Sequence, residues 1–336
     1  MSNTSNDKLF DFKFYEWEKR FKDKPFLRQP FGDSWEEYSW GEVGQMARKL
    51  ATGLKSLGLR ENAHIGLISK NCREWIIADL AIVMAGYISV PFFPTLNAKE
   101  INTLLTFGDV DLLFAGKVED WEEQKEGVPE GMPIISFPHY KGYSKITEGH
   151  QWFDFIDKYE PLQTPHQHKL SDTWTIIFTS GTTGNPKGVV LDYLANSKTA
   201  VLTLESNPLK VDFDGENDFF SYLPLNHIAE RIVVEYAVFR FGGTISFAES
   251  LDTFAQNLQD TQQSIQSKLV EIIQKITETQ QVKADVDAEG DATMQEDSPL
   301  PNTQKSMGAN DSKYLKGLSN NSKSIEIAEL KLMYEE

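Results

Sequence analysis

The sequence predicts an α/β protein built of layered sheets with flanking helices. Short runs of β-branched and aromatic residues alternate with longer segments of helical apolar spacing as far as Phe247, and glycine or proline marks many of the boundaries. Beyond Asp260 that alternation stops. Phe10 to Lys22 carries the spacing of an amphipathic helix, and Trp40 to Leu57 that of a longer one. His64 to Ser69 is an apolar run of strand length, Arg73 to Ala85 is a helix that Gly86 ends, and Tyr87 to Phe93 is the next strand. Further strands fall around Asp111 to Ala115, Pro133 to Phe137, Thr173 to Phe178 and Val189 to Leu191. Asn217 to Leu223 and Gly243 to Phe247 extend the pattern, with a helix from Ala229 to Phe239 between them. The apolar stripes of these helices read as core faces.

The 336 residues, 40% hydrophobic and 25% charged, suffice to bury one or two cores. A formal net charge of −17 argues against a nucleic-acid partner and disfavours an anionic membrane, and its simplest role is solvation. The single cysteine, Cys72, excludes an intramolecular disulfide and is expected to be a passive packing residue. No strong metal-ligand cluster is visible, and no metal-binding residue is assigned. Met1 to Lys8 is polar, so no signal peptide is expected, and no apolar run reaches membrane-spanning length. A cytoplasmic protein is expected, with peripheral membrane contact left open.

The chemistry concentrates in Thr179-Ser180-Gly181-Thr182-Thr183-Gly184-Asn185-Pro186-Lys187-Gly188. Trp174 to Phe178 before it and Val189 to Leu191 after it make a strand, loop, strand arrangement. Gly181, Gly184 and Gly188 permit positive φ and let backbone N–H groups approach an anion that a Cβ would block. Thr179, Ser180, Thr182 and Thr183 add hydroxyl donors, and Lys187 adds a mobile charge able to neutralise a polyphosphate. The spacing is not that of the commoner nucleoside-triphosphate loop, in which Gly-Lys-Ser/Thr follows a glycine and four residues: here Pro186 precedes Lys187 and Gly188 follows it. The bland alternative for such a composition is a Gly/Pro surface hairpin.

Phe178 to Val189 resembles, residue by residue, the signature Y/F-T-S-G-T-T-G-x-P-K-G-V of the adenylate-forming enzymes, the family of acyl-CoA synthetases, firefly luciferase and peptide-synthetase adenylation domains. Tyr222-Leu223-Pro224-Leu225-Asn226-His227-Ile228-Ala229-Glu230-Arg231 resembles that family's next motif, in the L-P-L-x-H-x-x-E-R form typical of long-chain fatty-acyl-CoA synthetases. Trp40-Gly41-Glu42-Val43, Ile65 to Asn71, Glu74-Trp75 and Gly86 to Pro91 look like its opening subdomain, so the resemblance runs from about Phe10 to Asp260. It implies the first part of the family's large N-terminal domain and the reaction of a long-chain fatty-acid–CoA ligase, with ATP and magnesium, a fatty acid, and coenzyme A as co-substrate. By that resemblance Thr179, Ser180, Gly181, Thr182, Thr183, Gly184, Lys187 and Gly188 form the nucleotide-binding loop. Lys187 and His227 are the implied catalytic residues, His227 at the acyl and adenylate pocket. On residue chemistry alone His227 is equally a structural histidine, and Glu230 and Arg231 equally an ion pair at a helix start. An acyl tunnel does not follow from apolar stripes.

All seven tryptophans lie at or before Trp174, no phenylalanine follows Phe254 and no arginine follows Arg240. Ile265, Leu269, Ile272, Ile273 and Ile276 fall at helical spacing, predicting an amphipathic helix over Ser264 to Gln281. Ala284 to Ser324 is polar and reads as disorder, with a short helix from Ile325 to Leu332. The expected organisation is a partial AMP-binding domain over 1–260, an amphipathic helix over 261–282 and an acidic, polar tail over 283–336. The family's Y-G-x-T-E segment, whose Glu holds magnesium, its T-G-D segment, whose Asp grips the ribose, and its C-terminal lysine domain have no counterpart in this sequence. A truncated chain is therefore expected, and three readings stay open: a ligase, an inactive nucleotide- or pyrophosphate-binding remnant, and a truncated or fused gene product.

Overall fold

The computed structural model describes residues 10–179, 186–193, 212 and 215–261. Helix α1 (Phe10–Arg20) lays Phe14 and Trp17 into the core, and the antiparallel pair β1 (Pro25–Phe31) and β2 (Ser34–Ser39) follows. α2 (Trp40–Ser56) starts from a capping box: Ser39 Oγ accepts from the Glu42 N–H while the Glu42 carboxylate accepts from the Ser39 N–H. Its Trp40, Val43, Ala47, Leu50, Ala51 and Leu54 recur at helical spacing and are all buried. Phe26 stacks on Trp40 with ring centroids 3.9 Å apart, and Phe14 and Phe239 pack on the pair, so α1, β1 and α2 share one core with the helix that carries Phe239.

β3 (His64–Ile68), α3 (Arg73–Ala85) and β4 (Ile88–Phe92) form a βαβ unit of parallel strands. Every residue of α3 is buried, which explains why its sequence is apolar nearly all round instead of striped. Gly86 caps it at φ 83°, the left-handed conformation that glycine adopts without a Cβ penalty. The chain continues through α4 (Ala98–Phe107), β5 (Val110–Ala115), α5 (Trp121–Gln124), β6 (Ile134–Ser136), β7 (His150–Gln151), α6 (Trp152–Ile156), β8 (Thr173–Thr179) and β9 (Lys187–Asp192). β10 (Asp218–Ser221) and β11 (Thr244–Phe247) flank a helical run of Ile228–Glu230, a π-helical Arg231–Tyr236 and Ala237–Phe241.

Among the described residues these strands form two sheets. One has the order β7-β6-β5-β3-β4-β8-β9, parallel throughout except for the antiparallel β8–β9 pair. The other has the order β10-β11-β1-β2, with only β2 antiparallel. In the larger sheet β4 and β5 lie on opposite sides of β3, the reversal of strand order at which α/β sheets open a ligand crevice outside their carboxyl ends. Among the described residues no helix is long and apolar enough to cross a membrane.

The layered α/β architecture and the predicted elements up to Phe247 stand as expected. The β1–β2 hairpin and α4 were not legible. β1 carries two prolines and a charge, which argue against a central strand, yet it lies between β11 and β2. α4 buries only Ile101 and Leu105, too narrow a stripe to stand out. The helix expected over Ser264 to Gln281, the polar tail and the helix over Ile325 to Leu332 lie outside the described residues.

Candidate functional site

β8 runs parallel to β4, pairing Thr175 with Ser89, so its last residue, Thr179, lies at the carboxyl edge of the larger sheet. β9 returns antiparallel, with Thr179 opposite Lys187 and Phe178 opposite Gly188. Lys187 is exposed at the start of β9. Ser180, Gly181, Thr182, Thr183 and Gly184 lie outside the described residues, as does the Thr179 side chain. Gly188 departs from the conformational role expected of it: it sits in regular strand pairing, not among the positive-φ glycines. Packing accounts for it instead, since a Cβ there would come within 3.1 Å of Ile176 Cγ2 and 3.2 Å of Phe178 Cε1.

The second motif reaches the same edge through Asn71, three residues beyond the end of β3. Its amide donates to Ser221 Oγ at 2.9 Å and to the Leu223 carbonyl at 2.6 Å, while its Oδ1 accepts from the Leu225 N–H at 2.9 Å. This clamp holds the turn that carries Asn226 and His227. His227 is the N-cap of the helix that follows: its Nδ1 accepts from the Ala229 N–H at 3.2 Å, which leaves Nε2 to carry the proton of the neutral ring. The ring is exposed. Beside it Asn226 is buried, and neither of its amide atoms has a partner among the described residues. A buried orphan amide of this kind suits a polar ligand or water at the turn.

Glu230 and Arg231 do not form the ion pair that their adjacency suggests. Successive helical residues point apart, and each side chain is buried against different partners. Glu230 Oε1 accepts from the Ser221 hydroxyl at 2.8 Å and the Tyr222 N–H at 3.0 Å. Burial pushes its pKa up to about 7 against the downward pull of those two bonds. Arg231 is wholly buried, donating from Nη2 to Asp79 at 2.6 Å, from Nε to Glu235 at 2.8 Å and from Nη1 to Thr175 Oγ1 at 2.8 Å. Its guanidinium lies 4.1 Å from the Trp174 ring centroid. Thr175 stands on β8 four residues before Thr179, so the arginine of the second motif is bonded directly to the strand of the first.

Asp79 Oδ1 and Glu235 Oε1 are left without donors among the described residues. Burial holds Glu235 well above the carboxylate range, with the neighbouring Asp79 adding to the effect. A proton on Glu235 lets it donate to Asp79, which satisfies both orphans and leaves one cation facing one anion. Sequence reading passed over Asp79 and Glu235, although a carboxylate inside the apolar run of α3 and a Glu four residues after Arg231 were signals in plain view.

Glu230 sets an expected pH dependence. Between about pH 4.5 and 7 the folded chain keeps a proton that the unfolded chain releases, so stability falls as pH rises through that window and levels off above it. The total loss is on the order of 3 kcal/mol. Glu230→Gln retains an acceptor for both hydrogen bonds, and urea denaturation at pH 5 and pH 8 is expected to show a flattened slope and a higher midpoint at pH 8. An unchanged slope in that variant would assign the titration elsewhere.

The layered sheets, with a β8–β9 hairpin at their carboxyl edge, are those of the N-terminal domain of adenylate-forming enzymes. Solved structures share the fold: an anthranilate CoA ligase, AuaEII, in complex with anthranoyl-AMP aligns with a TM-score of 0.65 at 20% identity, over 75% of this chain and 47% of its own. A red-emitting luciferase from Phrixothrix hirtus aligns with a TM-score of 0.63 at 19% identity, over 76% of this chain and 49% of its own. The chain belongs to the AMP-binding enzyme family, whose profile matches residues 14–299. Its curated relatives include long chain acyl-CoA synthetase 5 of Arabidopsis thaliana, 30% identical over 63% of this chain and 33% of the relative. Long-chain-fatty-acid–CoA ligase ACSBG2 of Mus musculus is 25% identical over 80% of this chain and 41% of the relative. The chain thus spans about a third to two fifths of the length of these curated relatives.

Proposed function

We propose that this chain carries the phosphate-binding and acyl-side part of a long-chain fatty-acid–CoA ligase. The observation that supports it most is the direct bond from Arg231, in the second motif of that family, to Thr175 on the strand that leads into the first. In the proposed reaction the fatty-acid carboxylate oxygen attacks the α-phosphorus of ATP and pyrophosphate leaves. The thiolate of coenzyme A then attacks the acyl carbonyl and AMP leaves. Thr179, Ser180, Gly181, Thr182, Thr183, Gly184 and Gly188 would line the polyphosphate, and Lys187, exposed where β9 begins, would neutralise charge building on the departing pyrophosphate. His227, with a proton on Nε2 and its ring at the mouth of the Asn71-clamped turn, would donate to the acyl-adenylate, and the orphan amide of Asn226 adds polar capacity there. Magnesium, when bound, supplies further neutralisation of the phosphates; none of the described residues is assigned to it. We further place the reaction in the cytoplasm, in keeping with the acidic composition and single cysteine.

The test is fatty-acid-dependent exchange of labelled pyrophosphate into ATP, which reads the first half-reaction alone. Exchange that requires a long-chain fatty acid supports the ligase. A second reading, nucleotide or pyrophosphate binding without turnover, would use the same loop and the exposed Lys187. Calorimetric heat with magnesium-ATP but no exchange from a cooperatively folded sample selects it, and neither signal rejects both.

A further inference from the structure

We propose that His166, His168 and Asp172 form a zinc site at the amino edge of the larger sheet, at the end opposite the Thr179–Lys187 hairpin. One ligand atom from each side chain can be chosen so that all lie within 4.8 Å of one another. They border a cavity of about 280 Å³ whose other walls include Asn62, Gly86 and Tyr87. Ile88 and Thr173, the first residues of β4 and β8, also line it, which places it where those parallel strands begin.

The arrangement around His168 is the one that a metal-bound imidazole requires. The ring is buried, and its Nε2 lies 2.8 Å from the Val83 carbonyl. A carbonyl only accepts, so Nε2 carries the proton and Nδ1 keeps its lone pair. Metal-ligating histidines fix tautomer and orientation in this way, with the second ring nitrogen donating to a backbone carbonyl. His166 is anchored to the same helix end, its backbone N–H donating to the Met84 carbonyl at 2.9 Å. The two rings stand 4.6 Å apart between centroids. Asp172 is held by a turn in which one carboxylate oxygen accepts from the Lys169 N–H at 2.8 Å. The His166 ring also fills the space over Gly86, where a Cβ would come within 2.8 Å of it.

Two imidazoles and one carboxylate make an N₂O donor set suited to zinc, with a fourth position for water. Such an ion would cross-link positions 166, 168 and 172 of the segment leading into β8, which His168 bonds to the end of α3 through the Val83 carbonyl, bracing the strand whose far end is Thr179. Its role is structural, because the site lies at the opposite edge from the hairpin.

The experiment titrates the chelator-treated full chain with zinc by calorimetry, and with cobalt(II) for its visible ligand-field bands. One zinc per chain and a raised melting midpoint are expected. His166→Ala and Asp172→Ala alter exposed or half-buried positions, and each is expected to weaken zinc binding by about 100-fold or more, beyond the loss typical of outer-shell partners. Lys187→Ala is expected to bind zinc like the parent, which keeps the result independent of the ligase reading. Failure of the folded parent to bind, or equal binding in parent and both variants, overturns the site.

Discussion

Arg231→Ala is expected to lower the unfolding free energy by about 3–5 kcal/mol, the range for removing one partner from a buried ion cluster. The substitution leaves Asp79 and Glu235 buried without their cation and Thr175 Oγ1 without its guanidinium donor. It also opens a cavity between Trp75 and Trp174, over whose rings the guanidinium lies. The penalty comes from the uncompensated charge more than from the lost attraction. Replacing all three members of the cluster by apolar residues, Arg231→Met with Asp79→Leu and Glu235→Leu, is therefore expected to recover most of the loss. Urea denaturation of both variants checks this, and a change under about 1 kcal/mol for Arg231→Ala would show that the cluster contributes little.

Lys187→Ala is expected to reduce fatty-acid-dependent pyrophosphate exchange by about 10²–10³-fold, the usual loss when one preorganised charge-stabilising donor is removed. The side chain is exposed, so the unfolding free energy is expected to change by no more than about 0.5 kcal/mol, the range of surface substitutions. The two readouts separate a lost phosphate contact from a lost fold. Lys187→Arg keeps the charge but replaces a compact ammonium with a planar fork, and partial exchange is the expected result. Exchange at parental level in Lys187→Ala would remove the residue from the site.

These two expectations show how unevenly the site could be read. Lys187 and His227 are candidates picked out by ordered motifs of local chemistry, and the helix that ends at Gly86 followed from an unbroken apolar run and its glycine stop. Arg231 was noticed for the wrong partner, since sequence adjacency put Glu230 beside it while a buried helix turned the two side chains apart. Asn71 stood out only as the end of a stretch resembling the family's opening subdomain, and its clamp on Leu223 and Leu225 has no sequence signature. The prolines of β1 concealed a strand that pairs not only with β2 just after it but with β11 from the far end of the described chain.

The residues alone specified the alternation of strands and helices, the hairpin flanking Thr179 to Lys187 and the family. Each of those rests on side-chain spacing, turn chemistry or motif order within short stretches. Tertiary folding specified the rest: Asp79 meets Arg231 across 152 residues of sequence, and His166, His168 and Asp172 gather beneath the Gly86 turn. The difference is physical. Periodicity reports which face of an element is buried, but the partner of a buried charge is chosen by which elements pack together, and desolvation there makes that choice energetically decisive.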